Sequence, residues 1–573
     1  MTNKYCVPDV LAPDMIIKNG KVIKVDKGFS FAEAVAVKDG KIVGVGTEEE
    51  IEALRGNPTK TLDLQGNVLI PGINDAHLHI VLALETMPPR TYYVGPERVK
   101  CIADIREVVK EAVTASKPGQ WIKGTDWNQG SIKELLDDLS RRLNKEDIDD
   151  VSPDNPVYLN EFGYHAGFAN SAALKAAGID RNTPDPVGGT IVRDSGGEPT
   201  GMLLETAQEM ITQLMPRASY EEMRKAFEQN ITELTKYGIT SVTSANDRPY
   251  DVNFFSNLYR DYAKEGKPFP IRITSMLLWA EGILGGSLSR VREALKHVGT
   301  TTDFGNDFLR IGGVKVFADG IPPQKTAWVS TPYEDGTCGS LVLDGADENE
   351  KVEHINKIVE LCHAEGYQVC FHTSGDLAVK ACVDAMARVL EKEYKDLRHY
   401  VIHGDWVLEE SMDKMAKYKI PLATQVDILH EIGDDMANRL GMEKAGNQWP
   451  LKQMLSKGVK FCNSSDWPVC PPDWRKGIRT AITRQTRAGL ICGEHQALTL
   501  EEALRSYTAD SAWFDHMEDR KGSIEVGMLA DFAVIGEDIT AIDPLKITEL
   551  PVHMSIVGGH VIYNDGLLCI MEE

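Results

Sequence analysis

Short apolar runs broken by turn dipeptides occupy both ends of the chain, and apolar runs alternating with longer amphipathic segments fill its middle. Near the start, residues 15–19, 21–24, 34–38 and 41–44 read as strands. Asn19-Gly20 and Asp39-Gly40, which interrupt them, are hairpin signals because these residue types accept the positive φ of tight turns. Near the end, residues 530–535 and 552–563 repeat the strand pattern around Gly522, Gly527 and Gly558-Gly559. A β-sandwich domain built from residues 1–72 and 520–573 is therefore expected.

The middle follows a βα rhythm, the sequence form of a parallel sheet. Candidate strands fall at 73–80, 239–243, 271–278, 311–317, 368–372, 400–403, 421–424 and 459–463. Eight parallel strands predict a closed (β/α)8 TIM barrel over residues 73–519, an α/β architecture overall. The gap between the first two strands far exceeds one crossover helix, so an α/β insertion is expected at about 81–237, with a strand at 157–160 and a helix at 220–236. Loops at the C-terminal ends of barrel strands carry chemistry, so an insertion there would shape a substrate pocket.

Composition narrows the function classes. With 573 residues, 42% hydrophobic and 26% charged, the chain matches a multi-unit globular protein and not a disordered one. A net charge of -24 disfavours nucleic acid, whose binding draws affinity from Lys and Arg. The start, Met1 to Cys6, is polar, and no run of about 18 apolar residues suggests a membrane span. Ten scattered cysteines without a Cys-x-x-Cys pair fit reduced thiols and a cytoplasmic location. Gly-x-Ser-x-Gly, His-Glu-x-x-His, Walker and Gly-x-Gly-x-x-Gly motifs are absent from the sequence, which weakens serine-hydrolase and nucleotide readings.

The chemistry begins at Pro71-Gly72-Ile73-Asn74-Asp75-Ala76-His77-Leu78-His79, where an apolar approach ends in His-x-His. Strand alternation puts both imidazoles on one face, suited to a divalent metal. Four later apolar runs carry an ionisable residue in or just past them: Lys315, His372, His403 and Asp466. Singly, each has a bland reading as a hydrogen-bonded histidine, a helix cap or a snorkelling lysine. Jointly they would be repeated, uncompensated polar intrusions at one barrel mouth, and a shared metal resolves that cost.

The order His-x-His, Lys, His, His, Asp resembles the amidohydrolase superfamily, and more narrowly the amidohydrolase 3, or YtcJ-like, group. The likeness spans nearly the whole chain. It includes Trp121-Ile122-Lys123-Gly124 with Trp127, Tyr164-His165-Ala166-Gly167-Phe168-Ala169-Asn170-Ser171, and Gly197-Glu198-Pro199-Thr200-Gly201 with Glu205. It continues through Lys315-Val316-Phe317-Ala318-Asp319-Gly320, Ser465-Asp466-Trp467-Pro468-Val469 and Lys521-Gly522-Ser523-Ile524. His372-Thr373-Ser374-Gly375-Asp376 keeps the group's His-x-x-Gly-Asp frame with a more polar middle pair. Ile402-His403-Gly404 departs from the more usual Glu-His-Ala or Glu-His-Cys.

That resemblance implies a metal-dependent hydrolase of a non-peptide, amide-type C-N bond in a small molecule, attacked by metal-bound hydroxide. His77, His79 and Asp466 would hold one ion, His372 and His403 a second, and Lys315, carboxylated by carbon dioxide, would bridge them. Zinc is the expected metal, as one or two ions. Asp466 would move the proton, and His165 would donate to the developing oxyanion, unless it is structural. A homodimer is also compatible with the resemblance. Two rival readings stay open: a one-metal deaminase of a heterocyclic amine, which Lys315 argues against, and a catalytically silent metal-binding protein. Trp127, Tyr164, Trp328 and Trp467 are either pocket wall or core.

Overall fold

The computed structural model describes residues 7–572 except 89, 139–140, 279–287, 290, 293–294 and 296–300. The polar start at residues 1–6 lies outside the described residues. Both chain ends contribute to two facing sheets. Phe532–Ile535 pairs antiparallel with Val68–Pro71, and Ile570–Glu572 pairs antiparallel with Lys60–Asp63. Apolar side chains of Ile17, Val22, Leu62, Leu69, Phe532 and Ile556 form the shared core between them. Asp39 and Gly40 at φ 49° and 72° make the tight turn that their dipeptide predicts. The run at 552–563 is two strands, Val552–Val557 and His560–Asn564, because Gly558 and Gly559 turn the chain at φ 56° and 76°.

Eight parallel strands form the barrel wall: Ile73–Leu78, Ile239–Asp247, Arg272–Leu277, Leu309–Phe317, Gln368–Thr373, Tyr400–His403, Leu422–Thr424 and Phe461–Asn463. Each pairs in parallel with the next from first to eighth. The seam between the eighth and the first is closed by the loop that follows the eighth. There the Asp466 N–H donates to the His77 carbonyl at 2.9 Å, and the His79 N–H donates to the Trp467 carbonyl at 2.7 Å. The first strand is shorter than its apolar run: it stops at Leu78, and His79 is the N-cap of helix Ile80–Thr86.

Between the first and second strands lies a six-stranded sheet in the order Gly189–Arg193, Pro199–Glu205, Ala166–Ala169, Val157–Glu161, Ile122–Trp127, Tyr92–Tyr93. It has its own core, with Val108, Ile122, Trp127, Leu159 and Phe168 buried together. Helix Tyr220–Thr235, opened by a Ser219–Glu222 capping box, instead buries Met223, Phe227 and Leu234 in the barrel's core. It therefore acts as the crossover into the second strand, and the separate sheet occupies a narrower stretch than the sequence gap.

Candidate metal centre

Each polar intrusion seen in the sequence reaches the same end of the barrel. The rings of His77 and His79 lie edge to face with centroids 5.0 Å apart. His403, the last residue of the sixth strand, brings its ring within 5.7 Å of His77 and 4.3 Å of His372. Asp466 Oδ1 lies 3.3 Å from His77 Nε2 and 3.0 Å from His79 Nε2, and one ligand atom from each of these three residues fits within 4.8 Å. Lys315, 1% exposed, projects from the fourth strand, with its Nζ 4.9 Å from the centre of the Phe317 ring.

Contacts behind these residues aim them. His79 Nδ1 lies 3.3 Å from the Ala245 carbonyl, and His372 Nε2 lies 3.3 Å from the Gly320 carbonyl, so each ring keeps its other nitrogen for the site. Asp75, inside the His-x-His approach, accepts from the Ser465 hydroxyl at 2.6 Å and its N–H at 3.1 Å, which ties Asp466's loop to the first strand. Asp319 accepts the N–H groups of Ser374, Gly375 and Trp328, tying the loop after the fourth strand to that after the fifth. Burial pushes both carboxyls up to about 7. The sequence reading assigned neither residue a role. Their only local signal was an acidic residue among apolar ones.

The donor set fits a divalent cation. Among the described residues, His77 Nδ1 and Lys315 Nζ are buried without a hydrogen-bond partner, and Asp466 Oδ1 has only His77 Nε2 at 3.3 Å and His79 Nε2 at 3.0 Å, a costly state that ligation would relieve. Burial, reinforced by the Lys315 charge, holds His77 well below its ordinary value, and burial takes His403 down to about 3. Both are therefore neutral imidazoles at pH 7, the form that can ligate a metal. Burial would raise the Asp466 carboxyl, but the imidazoles facing it hold it well below the usual range, so it stays anionic. Burial lowers the Lys315 amine to about 8.

A cavity opens onto these residues. Its apolar wall includes Phe162, Tyr164, Phe317, Ile321, Ile428 and Ile432, and its polar lining includes Asn246, Ser374 and Asp405. Phe162, Tyr164 and His165 come from the insertion and lie over the barrel mouth. Of the aromatic residues singled out in the sequence, Tyr164 lines the cavity. Trp127 is buried in the insertion's own core and donates to the Leu159 carbonyl at 3.1 Å, Trp467 is buried in the barrel core, and Trp328 packs against that core. Ser374, part of the unusual polar pair, faces the cavity, whereas the Thr373 hydroxyl donates to the Ile402 carbonyl at 3.0 Å.

His165 is buried with its ring 4.8 Å from that of His372, and its Nδ1 lies 2.7 Å from Glu205 Oε2. Glu205 Oε1 accepts from the Thr326 hydroxyl at 2.6 Å. Burial opposes a charge on His165, but Glu205 outweighs it and raises the imidazole above its ordinary value. Several residues around the cavity hold left-handed backbone: His403 at φ 69°, Asp466 at 59°, Asn246 at 63°, Tyr164 at 61° and Glu205 at 51°. Each costs about 1 kcal/mol or more, a strain that clusters at functional sites.

The model of the amidohydrolase family, Amidohydro_3, matches residues 60–563. YtcJ of Bacillus subtilis, named as an amidohydrolase, is 31% identical over 93% of this chain and 96% of its own length. N-substituted formamide deformylase of Arthrobacter pascens is 29% identical over 96% of this chain and 98% of its own. The fold also matches the crystal structure of an uncharacterized metal-dependent hydrolase from Pyrococcus horikoshii, with a TM-score of 0.70 at 21% identity, covering 92% of this chain and 99% of that one. Family match and site agree: this chain belongs to the amidohydrolase family and is a hydrolase of carbon-nitrogen bonds.

Proposed function

We propose that this protein hydrolyses an amide-type, non-peptide C-N bond of a small molecule at the barrel mouth. In this reading His77, His79, Lys315, His372, His403 and Asp466 hold the metal. The observation that carries it is the meeting of these residues around buried, poorly partnered nitrogen and oxygen atoms. A divalent ion bound there supplies a Lewis acid for the scissile carbonyl and acidifies a water toward neutrality.

The chain's own groups do the rest. Asp466, anionic and facing both imidazoles, takes the water's proton and returns it to the leaving nitrogen. His165, its imidazole raised above its ordinary value by Glu205, donates to the carbonyl oxygen as charge develops there. Phe162, Ile428 and Ile432 keep bulk water from the reacting carbonyl. Zinc, as two ions, is the metal of this reading. Lys315 Nζ, on bonding carbon dioxide with loss of a proton, would supply an anionic oxygen donor to the metal. Its lowered amine value leaves neutral amine for that step. A cytoplasmic location, supported by nine unpaired cysteines among the described residues, and a homodimer belong to the same proposal.

Three measurements test it: metal content of the purified protein, the mass of the peptide bearing Lys315, and hydrolysis of a panel of N-formyl and N-acyl amines. N-formyl amines come first because a relative aligned over 96% of this chain is an N-substituted formamide deformylase. The expected outcome is stoichiometric metal, the added mass of one carboxyl group and amine release from an amide. Full activity after complete metal removal would sink the proposal. Ammonia released from a heterocyclic amine without amide cleavage would turn it to a deaminase, and intact metal with no turnover to a silent binder.

A further inference from the structure

A second cavity, open to solvent, lies between the insertion and the barrel, and its charge is opposite to that of the protein. Arg90, Lys123, Arg217 and Arg248 line it, against a single acidic lining residue, Glu85. In a chain of net charge -24, gathering four cations in one concavity runs against composition.

These cations are poorly compensated. Arg248 lies 2.9 Å from Asp251 and 3.4 Å from Glu85, which occupies both acids. Arg90 Nε is buried without a hydrogen-bond partner among the described residues. Lys123 and Arg217 make no ion pair among the described residues, and Arg217 stacks on the Tyr250 ring that Arg248 also covers, at 5.0 and 4.6 Å. Burial, then the neighbouring Arg90 charge, lowers the Lys123 amine, a sign that the cations are close enough to repel. Like charges held in a partly desolvated concavity call for an anion.

We infer that this cavity is an anion-binding site for a compact dianionic oxyanion of the phosphate-monoester type. A tetrahedral dianion can accept from several donors in different directions, whereas a single carboxylate is satisfied by one guanidinium fork. Leu82 lines both this cavity and the catalytic one, and the Thr86 hydroxyl in this lining meets the Tyr164 hydroxyl at 2.9 Å. The anion site therefore backs onto the catalytic cavity across helix Ile80–Thr86, whose N-cap is His79.

The test is calorimetric titration of the full-length holoprotein with inorganic phosphate, with acetate and chloride at matched ionic strength as controls. Arg217→Glu and Lys123→Gln are titrated alongside, after circular dichroism shows them folded. Arg217 is exposed, so its replacement leaves the core intact. The expected result is saturable phosphate binding that weakens at least tenfold in both variants, with acetate binding far more weakly. Phosphate binding that is unchanged in both variants would place it at the metal centre and overturn the inference. So would acetate binding as tightly as phosphate, or no saturable binding at all.

Discussion

Glu205 and His165, forty positions apart in the insertion, face each other with Oε2 and Nδ1 2.7 Å apart, and both are buried, with the His165 ring 4.8 Å from that of His372. Against the effect of burial, Glu205 raises the His165 imidazole above its ordinary value. Glu205→Gln is expected to lower kcat by about 100- to 1000-fold, the scale of one lost acid or oxyanion contact, with the metal content unchanged. His165→Asn should cost a similar amount, and the double variant little more, because the two residues act as one unit. Steady-state kinetics on the four proteins checks this. Additive losses would show that they act separately.

Lys315 has no hydrogen-bond partner for its buried Nζ among the described residues, so the metal-free fold gains little from its charge. Lys315→Met should leave the melting temperature of the metal-free protein equal or higher, because burying a polar group without a partner costs about 1–3 kcal/mol. Hydrolysis should nonetheless fall below detection. Calorimetry of metal-free samples and an activity assay of metal-loaded ones separate the two effects.

Asp515 ties the base of the barrel to the C-terminal segment. It accepts from Lys521 Nζ at 2.6 Å, the Thr243 hydroxyl at 2.6 Å and Asn74 Nδ2 at 2.8 Å. Burial would raise its carboxyl, but the Lys521 charge and these hydrogen bonds bring it below its ordinary value. A depressed carboxyl contributes stability that is present above its unfolded value, near pH 4, and lost as pH falls through its folded value. Asp515→Asn, which strands a buried lysine, should cost about 3–5 kcal/mol at neutral pH. The gap to the parent protein should narrow as the solution is acidified below about pH 4. Melting temperatures measured across that range test the sign.

Gly404 follows His403 at φ 60°, and a Cβ there would stand 2.6 Å from Leu422 Cδ1. Gly404→Ala should therefore destabilise the protein by about 1–2 kcal/mol from backbone strain alone. It should also reduce metal retention, since His403 shares the strained turn. Denaturant unfolding and metal analysis after dialysis check both. An unchanged midpoint with full metal would show that the turn relaxes freely.

The strand pattern, the barrel class and the candidate ligand residues were legible in the sequence because each is a local signal. Period-2 apolar runs announce strands, and a His, Lys or Asp inside such a run announces a burial cost that something must offset. His77, His79, Lys315, His372, His403 and Asp466 could thus be named without coordinates. Tertiary structure alone decided what stands behind and around them. Asp75 meets Ser465 across 390 positions, and Glu205 meets His165 across 40. The cavity wall is built from Phe162, Ile428 and Ile432, while Trp127 turns into a separate core. Helix Tyr220–Thr235 joins the barrel although it lies in the long gap between strands. The physical reason is the same in each case. A local pattern reveals that a side chain needs a partner, but which partner it finds depends on how the crossover loops bring distant strand ends together, and nothing local encodes that meeting.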